Sequence, residues 1–286
     1  MARTALLAQV TAQPFLKWAG GKTQLLSQFA PLYPERIERY IEPFVGSAAV
    51  FFDIRRRFTL RYAALSDSNA ELINCYQVVR DQVEELIDVL AKHKARHSDE
   101  YYYRMRREVL SDRVEKAARL IYLNKTCYNG LYRVNSKGEF NVPIGRYKNP
   151  RIYNPDLLCA ASQALQGVDL AVQDFWNWLP KAQAGDFFYI DPPYFPLSPT
   201  ANFTSYTEGG FGLEEQRRLA QFVRDLDAKG CLVMVSNSDT TVIRKLYRGL
   251  RFTKVSARRS INSNGAARGT ISELVIRNYA KAARGR

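Results

Sequence analysis

Cysteine and histidine are scarce in this chain of 286 residues, with four of the first and two of the second. Cys75, Cys127, Cys159 and Cys231 lie far apart with no C-x-x-C spacing, and only His93 and His97 offer imidazoles, so neither a disulfide framework nor a zinc site is indicated. Scattered thiols of this kind point to a reducing cytoplasm. The two histidines stand four apart, but no glutamate follows His93 as a metalloprotease motif requires, and both are expected on a solvated helix surface. Also missing is any run approaching the roughly 18 apolar residues of a membrane span, so a soluble protein is expected. The apolar patch near the N-terminus is broken by Gln9, Thr11 and Gln13, too weak for a secretory signal. Acid is the other shortage: 28 Asp and Glu face 42 Lys and Arg, a formal net charge of +14. That surplus suits an anionic partner, most commonly nucleic acid, because neutralising phosphates releases condensed counterions. Hydrophobic residues make up 46% of the chain, enough to bury a core and to exclude a disordered segment.

What is present has a clear order. Phe15-Leu16-Lys17-Trp18-Ala19-Gly20-Gly21-Lys22 is a glycine turn leading into the helical pattern Leu25, Leu26, Phe29. A strand over Arg39 to Glu42, the small-residue turn Pro43 to Ala48 and a helix from about Ala49 make one strand–turn–helix unit. A second strand, Arg61 to Leu65, ends in Ser66-Asp67-Ser68-Asn69, at the separation where an acidic residue meets ribose hydroxyls in nucleotide sites. From Glu71 to Leu123 the apolar spacing is helical, with a tyrosine and arginine cluster at 101–107, and a turn-rich basic segment follows from Tyr128 to Pro150. Strand signals return at Val168 to Val172, Phe187 to Ile190 and Cys231 to Val235, with a helix from Glu214 to Lys229 closed by Gly230. Phe252 to Val255 and Ile271 to Asn278 are placed to form a hairpin around a loop holding Asn262, Asn264 and Gly265. The simplest architecture is an α/β sheet domain in residues 1–69 and 154–286, interrupted by a helical basic insertion over 70–153.

The sharpest chemical feature is Asp191-Pro192-Pro193-Tyr194, directly after the apolar run Phe187 to Ile190. In a parallel α/β sheet the carboxyl ends of strands bind ligands, although Asp-Pro-Pro also makes an ordinary turn. An amino group on an aromatic base is a poor nucleophile because its lone pair is delocalised into the ring. A carboxylate accepting one amino hydrogen and a carbonyl accepting the other localise that pair, and Asp191 with the Pro192 carbonyl supply both. Successive prolines fix φ and donate nothing, which leaves the corner stiff and preorganised. Tyr194 offers a ring face on which a base can stack. The electrophile matching this chemistry is S-adenosyl-methionine, whose methyl sits on a sulfonium. Carboxylates and aromatic faces suit that cation, and Trp18, Glu42, Phe44, Asp67 and Asp191 are the right types, with Gly46 permitting close backbone approach. A phosphate-binding loop is the competing reading of Gly20-Gly21-Lys22-Thr23. It fails because Leu16 stands where the first glycine belongs and no buried strand precedes it.

In this order, Phe15 to Lys22, Glu42 to Gly46, Ser66 to Asn69, Tyr128 to Pro150, Asp191 to Tyr194 with Pro196-Leu197-Ser198 and Phe203-Thr204-Ser205-Tyr206, and Ser260 to Gly265 resemble the Dam-type, alpha-class DNA adenine methyltransferases. The resemblance runs from about Gln13 to Tyr279. It implies a Rossmann-like methyltransferase fold with an inserted helical DNA-recognition domain, and methyl transfer from S-adenosyl-methionine to the 6-amino group of adenine in double-stranded DNA. It implies cofactor contacts at Trp18, Lys22, Glu42, Phe44, Gly46, Asp67 and Asp191, a catalytic loop of Asp191, Pro192 and Tyr194, and no metal. The residues matching those that read GATC in the family are Lys17, Tyr128, Asn129, Leu131, Arg133, Pro143 and Tyr147. A cytoplasmic bacterial or phage enzyme is implied, with a cognate restriction endonuclease as a partner the family admits. One departure stands out: Ala48 occupies the place of the family's second turn glycine, so close approach of the cofactor's methionine portion is expected to change. Two other readings stay open on the residues alone, amino-methylation of RNA or cytosine, and a DNA-binding protein that has lost its activity.

Overall fold

The computed structural model describes residues 10–196, 211–258 and 270–280. The chain divides into two compact units: one takes the chain up to Lys22 with Gly46–Arg57 and Asp67–Val172, the other Thr23–Val45, Phe58–Ser66 and the chain from Gln173. Seven strands occur among the described residues: β1 (Arg39–Glu42), β2 (Tyr62–Asp67), β3 (Val168–Val172), β4 (Phe187–Ile190), β5 (Leu232–Ser238), β6 (Arg251–Arg258) and β7 (Thr270–Arg277). The expected α/β class and Rossmann-like fold are borne out.

In the second unit the strands lie in the order β2-β1-β4-β5-β7-β6. The first four are parallel, and β7 runs antiparallel to both β5 and β6. The hairpin expected from the last two apolar runs is thus present, with Arg251 opposite Arg277 and Arg258 opposite Thr270. All four residues of β4 are buried, which is why this strand reads as an unbroken apolar run rather than an alternating one. The helix α8 (Leu213–Ala228) packs Leu219, Phe222, Val223 and Leu226 into a core with Ile41, Phe188, Val233 and Val235. Two short helices, α1 (Leu26–Phe29) and α9 (Thr241–Leu246), also belong to this unit.

The first unit is helical. It holds α2 (Ala49–Arg57), α3 (Ala70–Asp81), α4 (Val83–Ala95), α5 (Asp99–Arg107), α6 (Arg113–Thr126) and α7 (Pro155–Leu165). Side-chain caps start four of them: Asn69, Ser98, Asp112 and Asn154 each accept the N–H three residues on. The tyrosine cluster at 101–107 forms part of this unit's core, with Tyr102 fully buried and its hydroxyl donating to the Val142 carbonyl at 2.9 Å. The histidines correct the sequence reading. His93 is buried beneath Tyr101 and Tyr122, its Nδ1 2.7 Å from the Tyr101 hydroxyl, and the Nδ1 of half-buried His97 lies 2.9 Å from the Tyr122 hydroxyl. Their apolar helix neighbours could not reveal this, because the partners are tyrosines on two other helices. Burial, reinforced by Arg96, pushes the His93 imidazole down to about 4.

Candidate functional site

The second unit carries the Asp191–Tyr194 corner at the carboxyl end of β4, between β1 and β5. Pro192 is buried. The Pro193 carbonyl accepts a 2.9 Å hydrogen bond from the Gln216 side chain on α8, and the Tyr194 hydroxyl donates to Glu273 on β7 at 2.6 Å. Burial, with Asp191 and Glu273 nearby, raises the Tyr194 phenol well above its ordinary value, so it stays neutral. Next along, the Phe195 N–H donates to Asn237 at 3.3 Å, and the Ser238 hydroxyl donates to the Phe195 carbonyl at 2.7 Å. Glu42 ends β1 as a buried carboxylate that accepts from the Tyr40 hydroxyl at 2.8 Å. Phe44 stacks on Phe175 at 5.4 Å between ring centres and meets Phe211 edge-on. Glu42, Phe44, Asp191, Pro192 and Tyr194 thus belong to one unit.

Trp18, Lys22, Gly46 and Asp67 belong to the other. The Asp67 carboxylate accepts the N–H groups of Asn69 at 3.0 Å and Gly46 at 3.4 Å. Burial raises the Asp67 carboxyl above its ordinary value, and those N–H groups offset only part of the rise. Gly46 has φ of +44°, and a Cβ there would stand 3.0 Å from the Trp18 ring, so glycine is required both by the backbone and by the indole against it. The Lys22 ammonium is buried and donates to the Gly20 carbonyl at 2.5 Å. Ala48 is fully buried at φ of +55°, a left-handed conformation that glycine adopts at little cost. Its departure from the family pattern therefore acts first on the backbone of the turn.

The residues expected to read DNA form a compact lobe in this same unit. Tyr128 to Gly130 make one 3-10 turn, with Asn129 at φ of +56°. The Tyr128 N–H donates to the Pro143 carbonyl at 2.9 Å, which joins the two ends of the lobe. Lys17 extends over the Tyr147 ring, its ammonium 4.5 Å from the ring centre and 3.4 Å from the hydroxyl. Gly130 lies against the Lys17 stem, where a Cβ would stand 2.6 Å from its carbons. Arg133 is exposed, and Asn141 receives its Nε at 2.6 Å and its Nη2 at 3.2 Å. Leu131, two residues earlier, is half-buried. Lys125 is pushed down to about 8 by burial and by the charge of Lys17.

Sequence reasoning missed several residues that hold these groups. Fully buried Asn124 accepts the Lys17 N–H at 2.8 Å, donates to the Lys17 carbonyl at 2.6 Å and reaches the Gly130 carbonyl at 3.1 Å. A lone amide at the end of the apolar run Leu120 to Leu123 was the available signal. Tyr132 stacks on Trp18 at 5.2 Å, and its hydroxyl donates to Glu71 at 3.0 Å. Asn237 follows the apolar run of β5 much as Asp191 follows β4, and Gln216 carries no signal of its own. The motifs Leu197-Ser198, Phe203 to Tyr206 and Ser260 to Gly265, with Asn262 and Asn264, lie outside the described residues.

A sheet of this strand order, with an acidic Pro-Pro-Tyr corner after an interior strand and a basic helical unit alongside it in sequence, defines a Rossmann-like methyltransferase. The chain belongs to the D12 class N6 adenine-specific DNA methyltransferase family, whose model matches residues 18–261. It is 42% identical to the type II methyltransferase M1.LlaDCHI of Lactococcus lactis subsp. cremoris, over 95% of this chain and 97% of that one. It is 44% identical to the type II methyltransferase M.MjaIII of Methanocaldococcus jannaschii, over 93% and 99%. It is 38% identical to the DNA adenine methylase of Escherichia coli, over 91% and 93%. The protein is an adenine-specific DNA methyltransferase that uses a methyl donor. Among the described residues no helix is long and apolar enough to cross a membrane.

Proposed function

We propose that the protein methylates the 6-amino group of adenine within GATC in double-stranded DNA, with S-adenosyl-methionine as donor and the target base everted to the Asp191–Tyr194 corner. The observation that carries this reading is that corner itself, set at the end of an interior strand with its carbonyl and phenol held from α8 and β7. When bound, the cofactor supplies a methyl group on a cationic sulfur. The residues present fit it: Glu42, Asp67 and Asp191 are carboxylates at or just past strand ends, suited to sugar hydroxyls and a cation, and Trp18 and Phe44 supply aromatic faces. Lys22 and Gly46 complete that set.

Asp191 accepts one amino hydrogen and the Pro192 carbonyl the other, which turns the nitrogen lone pair out of the ring plane. Tyr194 stacks on the base and offsets part of the few kcal/mol that extrusion costs. Lys17, Leu131 and Arg133 read base edges, Pro143 touches a methyl, and Tyr128 enters the stack, while Asn129 and Tyr147 shape the lobe. Basic residues of the 70–153 insertion hold phosphates and make affinity salt-dependent. A cognate restriction endonuclease is the further protein partner that this reading admits. Exposure of unmethylated duplex DNA to the protein and labelled S-adenosyl-methionine, followed by base mapping, tests the reading. Label is expected in 6-methyladenine at GATC; label in cytosine, in RNA or at other sequences contradicts it.

A further inference from the structure

We infer that Gln216 is a positioning residue for methyl transfer, the last link of a buried amide chain that sets the carbonyls of the Pro-Pro corner. The inference rests on the proposed role of the Asp191–Tyr194 corner. Past Ile190 the sheet ladder ends, and two successive prolines leave the loop without N–H groups to fix its own carbonyls. The missing donor comes from α8: Gln216 Nε2 donates to the Pro193 carbonyl at 2.9 Å.

An amide side chain can turn either end toward a partner, and here its direction is forced. The N–H groups of Ser238 and Phe195 donate to Asn237 Oδ1 at 2.8 and 3.3 Å. Asn237 must therefore present Nδ2 to Gln216 Oε1, which it does at 3.0 Å, and Gln216 must present Nε2 to Pro193. The Ser238 hydroxyl closes the far side on the Phe195 carbonyl at 2.7 Å. Gln216 and Asn237 are both fully buried, where such a chain is strong when complete and costly when broken. The Gln216 bond takes the Pro193 carbonyl and fixes the plane of the Pro193–Tyr194 peptide, one peptide beyond the Pro192 carbonyl that the proposed reading sets on the adenine amine; the fixed φ of Pro193 links the two.

Gln216→Glu tests this, because a carboxylate cannot donate and a neutral carboxyl can. At about pH 8 single-turnover methylation at saturating DNA and S-adenosyl-methionine is expected to fall about 100-fold, the scale of an ångström misplacement. Both dissociation constants stay as in the wild type, while the melting temperature falls with the broken chain, so rates are compared well below it. Near about pH 5.5 the protonated side chain restores the bond, and the rate recovers relative to the wild type at that pH. Wild-type rates at both pH values, or a loss that acid does not relieve, overturn the inference. Asn237→Asp keeps the acceptor for Phe195 and Ser238 and removes only the donor to Gln216. It is judged by the same two readings should the first variant not fold. Asp191→Ala run alongside separates the two levels: if it is inactive while Gln216→Glu is normal, only the amide chain fails, and if it is active, the role of the corner itself fails.

Discussion

The Asp191–Tyr194 corner and the lobe over residues 128–147 are both irregular loops braced by buried amides, yet they are braced in different ways. Around Asp191–Tyr194 the backbone and side chains are held together, by Gln216 at Pro193 and by Glu273 at Tyr194. In the lobe the buried amide fixes backbone, Asn124 at Lys17 and Gly130, with Pro143 taking the Tyr128 N–H, while the Lys17 and Arg133 side chains rest on the surface residues Tyr147 and Asn141. The tips stay open, with Tyr128 44% and Tyr147 38% exposed. Chemistry on a poor nucleophile needs acceptors that do not reorganise as charge develops, whereas reading base edges needs donors near the surface that can exchange a protein partner for a base.

The comparison can be broken at each end. Asp191→Ala removes an acceptor from the rigid corner, and methyl transfer is expected to fall by about 10³-fold or more while duplex binding changes little, as single-turnover assays and fluorescence anisotropy would measure. Retained activity would show that rigidity there serves another purpose. Arg133→Ala removes the proposed reader of the last base. Discrimination at the last base of the site should weaken by about 1–3 kcal/mol, seen by comparing methylation of duplexes altered at that base, while transfer on the best site persists.

Two smaller effects sharpen the contrast within the helical unit. The folded protein keeps His93 neutral down to about pH 4, whereas an unfolded chain takes up that proton near 6.5. Between those values the unfolded state binds more protons, so stability falls as pH drops through this window. Denaturant unfolding should show the stability of wild type relative to His93→Leu declining on acidification; a pH-independent difference would contradict the buried neutral imidazole. Ala48→Gly relieves a left-handed alanine and should raise unfolding stability by about 1 kcal/mol, less the entropy glycine adds to the unfolded chain.

Much of the fold was legible because its signals are local. β4 was visible as an unbroken apolar run, β6 and β7 as paired β-rich runs, and α8 by its spacing and closing Gly230. The corner at Asp191 was legible for the same reason, since its chemistry lies in four consecutive residues. What escaped depends on partners distant in sequence. Asn124 acts on Lys17 across 107 residues, Tyr194 finds Glu273 across 79, and His93 is hidden by tyrosines of α5 and α6. No pattern within one element announces such pairs. The departure at Ala48 is visible in the sequence, but its left-handed backbone appears only in three dimensions.

The account rests on an acidic proline corner that receives an everted adenine and orients its amine. A crystal structure of the protein with sinefungin and a GATC duplex tests this most directly. The account predicts the target adenine outside the helix, its amino nitrogen within hydrogen-bonding distance of both Asp191 and the Pro192 carbonyl and its ring against Tyr194. An adenine still stacked in the duplex, or lodged away from Asp191, would contradict it.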